Sequence, residues 1–275
     1  MHIIKSTGEE EEFSESKLCS SMVAVGAPKD LALRVCDLVE RDIKPSSNTN
    51  HIFRKALSHL VKKDIDIAVR YSLRRGLERL GPSGFLFEQY IEALFQAHGY
   101  KTKRNQVVQG ECTDHEIDVE LYEKNKRTLI EVKYRNEPGT KTHIDTVMYA
   151  DARRADIEKA ENKKGLGQQY EMWLVTNTRF TKKAIEYAEC KNKLKLLGWN
   201  YPESKSLESM IMEKAVYPVT VLPYITNSIL KQFAEAEIIL IEDLMLFTED
   251  SLEKKFNIDR KRAKGIMKRV REITN

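Results

Sequence analysis

The feature that most constrains this chain is Asp118 followed thirteen residues later by Glu131-Val132-Lys133. The stretch Glu116-Ile117-Asp118-Val119-Glu120-Leu121 reads as one strand and Thr128-Leu129-Ile130-Glu131-Val132-Lys133 as another. Between them, Glu123-Lys124-Asn125-Lys126 has no apolar side chain and makes a good hairpin loop. Pairing the strands around that four-residue loop sets Asp118 across from Glu131. Side chains alternate faces along a strand, so Glu131 and Lys133 share a face and Val132 enters the opposite layer. Two carboxylates and an ammonium then converge on one patch of sheet.

Such a patch has a chemical use. Paired carboxylate oxygens suit a hard cation such as Mg²⁺ (or Mn²⁺), which keeps several waters and meets substrate phosphate. A metal so held activates water and neutralises charge on a phosphodiester. The competing reading is a cross-strand ion pair on a solvated face, worth roughly 0.2–1 kcal/mol. Charged residues fill 32% of the chain, so this motif in isolation would be ordinary. Its surroundings decide the matter.

The 275 residues leave room for one large domain or two to three small ones, and 41% hydrophobic content permits real cores. The apolar runs are too short to cross a bilayer, and Met1-His2-Ile3-Ile4-Lys5 runs quickly into Glu9–Glu12, unlike a secretory signal. Cys19, Cys36, Cys112 and Cys190 are scattered without C-x-x-C spacing, which fits reduced thiols and a cytoplasmic protein better than a disulfide framework or a zinc site. A net charge of +4 is mild, so any case for nucleic-acid binding rests on where the charge sits.

Residues 1–82 read as strand, turn and strand followed by helices. Ser14 or Ser16 caps the first helix, and helical patterns follow over Asp30–Ile43, Thr49–Val61 and Ile65–Leu80. Ile3-Ile4-Lys5-Ser6-Thr7-Gly8, then Phe13, Lys17-Leu18 and Ala68-Val69-Arg70-Tyr71 resemble the ATP-cone, a regulatory nucleotide-binding module. The resemblance implies ATP or dATP as regulatory ligand, with Lys5 and Lys17 on the phosphates and Gly8 shaping the turn. The family's Lys-Arg is Lys5-Ser6 here, so the arginine's role has no carrier. The bland alternative is a helical docking domain without a ligand.

Residues 83–215 read as alternating α and β. Gly84–His98 is amphipathic, Tyr100–Gln109 is extended, and the Asp118/Glu131 hairpin follows. A helix over Ile144–Lys159, a strand over Met172–Thr176 and a helix over Thr181–Cys190 complete a mixed sheet flanked by helices. Phe87-Glu88, Gly99-Tyr100, Ile117-Asp118-Val119, Glu131-Val132-Lys133, Thr176-Asn177 and Phe180-Thr181 occur in the order seen in Mrr-type restriction endonucleases of the PD-(D/E)xK superfamily, which the segment resembles. The resemblance implies that Asp118 and Glu131 hold metal, Lys133 serves the attacking water and Glu88 helps orient the site. Thr113-Asp114-His115-Glu116 stands where many relatives have a glycine-rich turn. His115, Glu116, His143, Arg153 and Arg154 are secondary candidates for metal or phosphate contacts, each with an ordinary surface role as its alternative.

Residues 216–275 read as a small all-α unit with helical patterns at Ile225–Glu235, Ile241–Phe247, Glu249–Phe256 and Asp259–Ile273. The succession resembles a helix-hairpin-helix DNA-binding module, with Asn257 in place of the hairpin glycine. Nine basic residues and one acidic lie between Lys254 and Arg271. Lys254, Lys255, Arg260, Lys261, Arg262 and Lys264 head the set expected on DNA phosphates, giving salt-sensitive affinity.

Together these readings describe a Mg²⁺-dependent, restriction-type endonuclease acting on double-stranded DNA, regulated by nucleotide and homodimeric so as to cut both strands. The alternative is a catalytically inactive, nucleotide-responsive DNA-binding regulator on the same fold.

Overall fold

The computed structural model describes residues 1–5, 8–81, 85–137, 139–165 and 169–274. A short hairpin of β1 (His2–Ile4) and β2 (Glu10–Glu12) opens the chain, followed by α1 (Glu15–Val23), α2 (Lys29–Asp42), α3 (Thr49–Lys63) and α4 (Ile65–Leu77). Side-chain caps set three of these starts: Ser14 accepts from the Lys17 N–H, Asn48 from His51 and Asp64 from Ile67. Ile3, Met22, Val35, Val39, Ala56 and Leu60 form the core of this unit.

Next come α5 (Phe85–Ala97), β3 (Lys101–Gln109), β4 (Asp114–Glu123), β5 (Lys126–Lys133), β6 (Lys141–Thr142), α6 (Ile144–Lys163), β7 (Gln169–Thr176), β8 (Arg179–Phe180), α7 (Lys182–Glu189), β9 (Leu194–Leu197) and α8 (Leu207–Lys214). Five strands build one sheet in the order β3-β4-β5-β7-β9. The β3/β4 and β4/β5 pairs are antiparallel, whereas β5/β7 and β7/β9 are parallel. β6 and β8 form a separate parallel pair beyond the ends of β5 and β7. This mixed sheet flanked by helices agrees with the central α/β architecture expected from the sequence. One face packs on α5 through Phe87, Tyr90, Ile91, Leu94 and Phe95, all buried. The other packs on α6 and α7 through Val147, Ala150, Ile157, Ala184 and Ala188. Full burial of each large α5 side chain contributes about 1.5–3 kcal/mol.

The β4–β5 connection is tighter than the four-residue loop expected from sequence. Glu123 pairs with Lys126, leaving a turn of Lys124 and Asn125. The register is unaffected, because shortening the loop by one residue on each side keeps the same residues opposed. The sequence reading also passed over β9 and α8, whose short apolar runs are recognisable as elements only once packed. The cysteine expectation is corrected as well: Cys19 on α1 and Cys36 on α2 are disulfide-bonded, while Cys112 and Cys190 are free and exposed. Their seventeen-residue separation carries no signal until α1 packs against α2.

Residues 216–274 carry α9 (Asn227–Glu235), α10 (Glu249–Phe256) and α11 (Arg260–Thr274), with 3-10 turns at Val219–Val221 and Glu242–Leu246. Thr248 and Ser251 form a capping box at the start of α10, and Asn257 closes that helix with φ 47° and ψ 44°. Asparagine tolerates this left-handed geometry through its short polar side chain. The apolar residues of this unit join the α5-side core without a break, from Val216 to Val270.

The helix α4 belongs to both ends of the molecule. Ile67 and Ala68 lie in the N-terminal core, and Val69, Leu73 and Leu77 lie in the central one. Beyond its end, Arg79 donates to the carbonyls of Thr220 (2.9 Å) and Ile225 (2.5 Å), and Thr220 donates to the Gly76 carbonyl at 2.7 Å. A Cβ on Gly76 would stand 2.6 Å from Val221 Cγ1. Gly76→Ala is therefore expected to lower stability by about 1–3 kcal/mol through overpacking, despite the better helix propensity of alanine. Thermal denaturation that leaves the midpoint unchanged or raised would contradict this close packing.

Candidate active site

The site lies where β4 changes the layer it serves. In a regular strand Ile117, Val119 and Leu121 would share one face. Val119 and Leu121 pack in the α5-side core, but Ile117 packs in the α6-side core, and His115 reaches Asp156 on α6 at 2.8 Å. The neighbouring strand β3 makes the same change: Arg104 binds Glu92 of α5 at 2.6 Å, whereas Val108 packs against the α6-side core. Between them Asn105 takes φ 51°, and the paired residues Arg104↔Val119 and Gln106↔Ile117 bracket the Asn105/Asp118 position. Asp118 is thus the crossing point between the two layers.

On its other side the ladder with β5 ends at Val119↔Ile130. One step further, the Asp118 carboxylate stands in for the strand partner: Oδ2 accepts the Val132 N–H at 2.6 Å. Glu131, two residues on from Leu129, shares its face, and Leu129 is in the α6-side core, so the Glu131 carboxylate meets α6. There Arg153 donates Nη1 to Glu131 and Nη2 to the Glu116 carbonyl. Glu88 approaches from α5. Asp118, Glu131 and Glu88 are all half-buried.

The electrostatics record this crowding. Burial, and then the charge of Asp118, pushes the Glu131 carboxyl up to about 6, against the opposing pull of Arg153 and Lys133. Burial followed by the charges of Asp118 and Glu116 pushes Glu88 up to about 7. Asp118 is also raised, chiefly by burial, although the Val132 N–H, Arg153 and Lys133 favour its anion. Three carboxyls that resist ionisation beside one another mark a place short of positive charge. Among the described residues one oxygen of Asp118 and one of Glu131 takes no hydrogen bond, and the donors are all oxygen. That set fits a hard divalent cation.

Lys133 is half-buried, close enough to pull on both carboxyls, and its ammonium makes no ion pair or hydrogen bond among the described residues. Its backbone is held tightly. Thr176 donates to the Lys133 carbonyl at 2.7 Å and accepts from Thr142 at 3.3 Å. The Asn177 amide accepts from the Arg135 N–H at 2.8 Å and donates to the Arg135 carbonyl at 3.0 Å. The chain leaving β5 is therefore clamped on both sides.

A model of the restriction endonuclease family matches residues 81–200, and a model described as AF1548-like, C-terminal, matches residues 217–274. An uncharacterized protein of Archaeoglobus fulgidus is 33% identical over 180 residues, covering 66% of this chain and 97% of that protein. The crystal structure of the protein of unknown function AF1548 matches with a TM-score of 0.56 at 31% identity, covering 69% of this chain and 97% of that one. The chain belongs to the AF1548-like family.

In this AF1548-like chain the four residues expected at the site, Glu88, Asp118, Glu131 and Lys133, come from α5, β4 and β5, near enough for the charge of Asp118 to act on Glu88 and Glu131 and that of Lys133 on both Asp118 and Glu131. The secondary candidates divide. Arg153 enters the site. Arg154 instead pairs with Asp151 (2.8 Å) and Glu158 (2.7 Å) in a largely buried ion-pair cluster, away from the site. His115 is turned to α6, where its hydrogen bond, with that of Cys112, holds Asp156 down to about 2. Glu111, Cys112 and Asp156 also lie close together, but Asp156 is already occupied by His115 and the Cys112 N–H. Sequence reasoning missed the Arg153–Glu131 pair and the Thr176–Asn177 clamp. Thr176-Asn177 stood out in the sequence as a motif; nothing there showed which strand it would grip.

The nucleotide candidates sit apart in the N-terminal unit. Lys5 pairs with Glu9 at 3.3 Å and Glu11 at 3.7 Å, Lys17 pairs with Glu11 at 3.4 Å, and Gly8 turns the hairpin at φ 89°. Ser6 and Thr7 lie outside the described residues. Of the DNA candidates, Lys254, Lys255, Arg260, Lys261 and Lys264 are exposed on α10 and α11. Arg260 pairs with Asp250 and Glu253, and half-buried Arg262 pairs with Asp259. No helix among the described residues is long and apolar enough to cross a membrane.

A carboxyl raised by folding keeps its proton in the native state to higher pH than in the unfolded chain. Its favourable contribution is complete below the ordinary value of 4.5 and is lost as pH rises through about 7. Glu88→Gln mimics the protonated form. In EDTA the variant should match wild type near pH 4.5 and gain stability up to pH 7, levelling off above it at about 1–2 kcal/mol after discounting for solvent screening. A difference in melting temperature independent of pH would refute the crowding.

Proposed function

We propose that this protein is a divalent-metal-dependent endodeoxyribonuclease of restriction type, acting on double-stranded DNA and regulated by nucleotide. The reading is supported chiefly by the Asp118 carboxylate docking on the Val132 N–H, between Glu131 and Lys133, inside a domain that matches the restriction endonuclease family. Asp118 and Glu131 would hold Mg²⁺ or Mn²⁺, which supplies Lewis acidity to the phosphate and lowers the pKa of bound water. Lys133 lies on the face of β5 that carries Glu131, where its unpaired ammonium orients the attacking water or contacts the phosphate. Glu88 closes the site from the α5 side and tunes the charge of both ligands. Hydrolysis of both strands calls for two sites, hence a homodimer.

The basic face of α10 and α11 would track the DNA backbone, since clustered cations release counterions on binding. In the N-terminal unit Lys5 and Lys17 converge on Glu11, and a nucleotide triphosphate would take over the same two ammoniums while Gly8 keeps the turn open. ATP or dATP bound there acts on the nuclease through α4, whose ends lie in both cores.

Purified protein incubated with plasmid and Mg²⁺ or Mn²⁺ is expected to cleave it, with the rate altered by ATP or dATP. Asp118→Ala and Lys133→Ala should each reduce cleavage by at least about a hundredfold while leaving DNA retention intact. Cleavage undiminished in both variants would overturn the site. DNA retention without cleavage under any divalent metal would instead favour an inactive DNA-binding regulator. A second prediction concerns the tail. Lys261→Ala and Lys264→Ala should each reduce the slope of log affinity against log salt by about 0.9. Fluorescence anisotropy between about 50 and 200 mM salt measures it; an unchanged slope in the double variant would remove α11 from the DNA interface.

A further inference from the structure

Arg153 on α6 is the cation already in place at the carboxylate pair. Its guanidinium grips the Glu131 side chain and, at 2.5 Å, the Glu116 carbonyl, and the side chains of Arg153 and Glu131 are only 13% and 14% exposed. Its charge also favours the Asp118 anion. One part of the fork is left over: Nε is buried and has no hydrogen-bond partner. A buried donor without an acceptor is costly, so this pose serves the guanidinium incompletely. Tyr149, one turn earlier on α6, is 60% exposed and has its ring 5.3 Å from the guanidinium carbon, marking a route from the site to solvent.

A divalent cation seated on Glu131 would meet the guanidinium as a like charge at contact distance, in a half-buried place where screening is weak. Arg153 holds one oxygen of Glu131 and the cation would take the other, so the two oppose each other by charge across one carboxylate. An arginine released there keeps its charge and presents a planar fork matched to phosphate oxygens. We propose that Arg153 is a displaceable counter-ion that couples metal loading to DNA binding: it holds Glu131 in the free protein and passes to a phosphate of the duplex as the metal takes its place. The inference rests on reading Asp118 and Glu131 as the metal ligands. It makes Arg153 a positioning residue whose two partners are alternatives, and coupling of this kind is reciprocal: DNA tightens metal and metal tightens DNA.

The test measures binding, apart from cleavage. Mn²⁺ is titrated into the DNA-free protein and followed by electron paramagnetic resonance, for wild type, Arg153→Gln, Arg153→Lys and Asp118→Ala. Arg153→Gln should bind Mn²⁺ about tenfold more tightly than wild type, because its competitor is gone. Arg153→Lys keeps the charge without the two-pronged grip and should gain about threefold, which preserves the test if the Gln variant fails to fold. Duplex affinity is then compared in EDTA and in Ca²⁺ by anisotropy. The gain on adding Ca²⁺ should be several-fold in wild type and largely lost in Arg153→Gln. If Asp118→Ala abolishes Mn²⁺ binding while both Arg153 variants bind no more tightly than wild type, the counter-ion role is wrong and the metal site stands. If Asp118→Ala binds Mn²⁺ as wild type does, the ligand assignment itself falls, and this inference falls with it.

Discussion

The structure turns on one irregularity, the exchange of layers at Asp118. A strand that kept its alternation would bury Ile117 beside Val119 and leave the α5 and α6 layers with no common residue. By switching faces, β4 sends Ile117 to one core and Val119 to the other, and the residue between them is reached from both sides. Asn105 on β3 absorbs the same change with a left-handed backbone. The interrupted pairing with β5 is repaired by the Asp118 side chain itself, which accepts the Val132 N–H. A carboxylate used as a substitute strand partner is held more rigidly than one on a loop, and a rigid ligand is what the proposed metal-dependent reaction requires.

The same arrangement carries an electrostatic cost. Glu88, Asp118 and Glu131 come from three elements; burial raises the proton affinity of all three, the charge of Asp118 adds to it at Glu131 and Glu88, and that of Glu131 adds to it at Glu88. Folding of the surrounding cores holds them together: Phe87, Tyr90 and Leu94 anchor α5 to the sheet, and Val147 and Ala150 anchor α6. Arg153 offsets part of the charge in the free protein. Functional sites commonly store strain of this sort, supported by packing elsewhere. Here the support extends to the N-terminal unit, since α4 is a continuous rod with one end in each core.

Much of this was legible in the sequence, and the reason is locality. Asp118 opposite Glu131 follows from a hairpin whose register needs only the residues between the strands; even a wrong loop length left it intact. The caps Ser14 and Thr248 and the left-handed Asn257 are likewise decided within four or five residues. Glu88 was readable through resemblance to a nuclease family, not through its own surroundings. Arg153 was named beside Arg154 with nothing to separate them. Adjacent helical residues point about 100° apart, so one meets Glu131 and the other stays with Asp151 and Glu158.

By itself the sequence determined the order of the longer elements, the pairing of β4 with β5 and the set of groups able to hold a cation, because all depend on short-range pattern and residue chemistry. Tertiary structure decided which of those groups meet. The face exchange at Asp118, the Cys19–Cys36 bond, the clamp of Asn177 on Arg135 and the grip of Arg153 on Glu131 each join residues 14 or more positions apart. Contacts at that range arise from the packing of whole layers against the sheet, a property no local stretch of the chain contains.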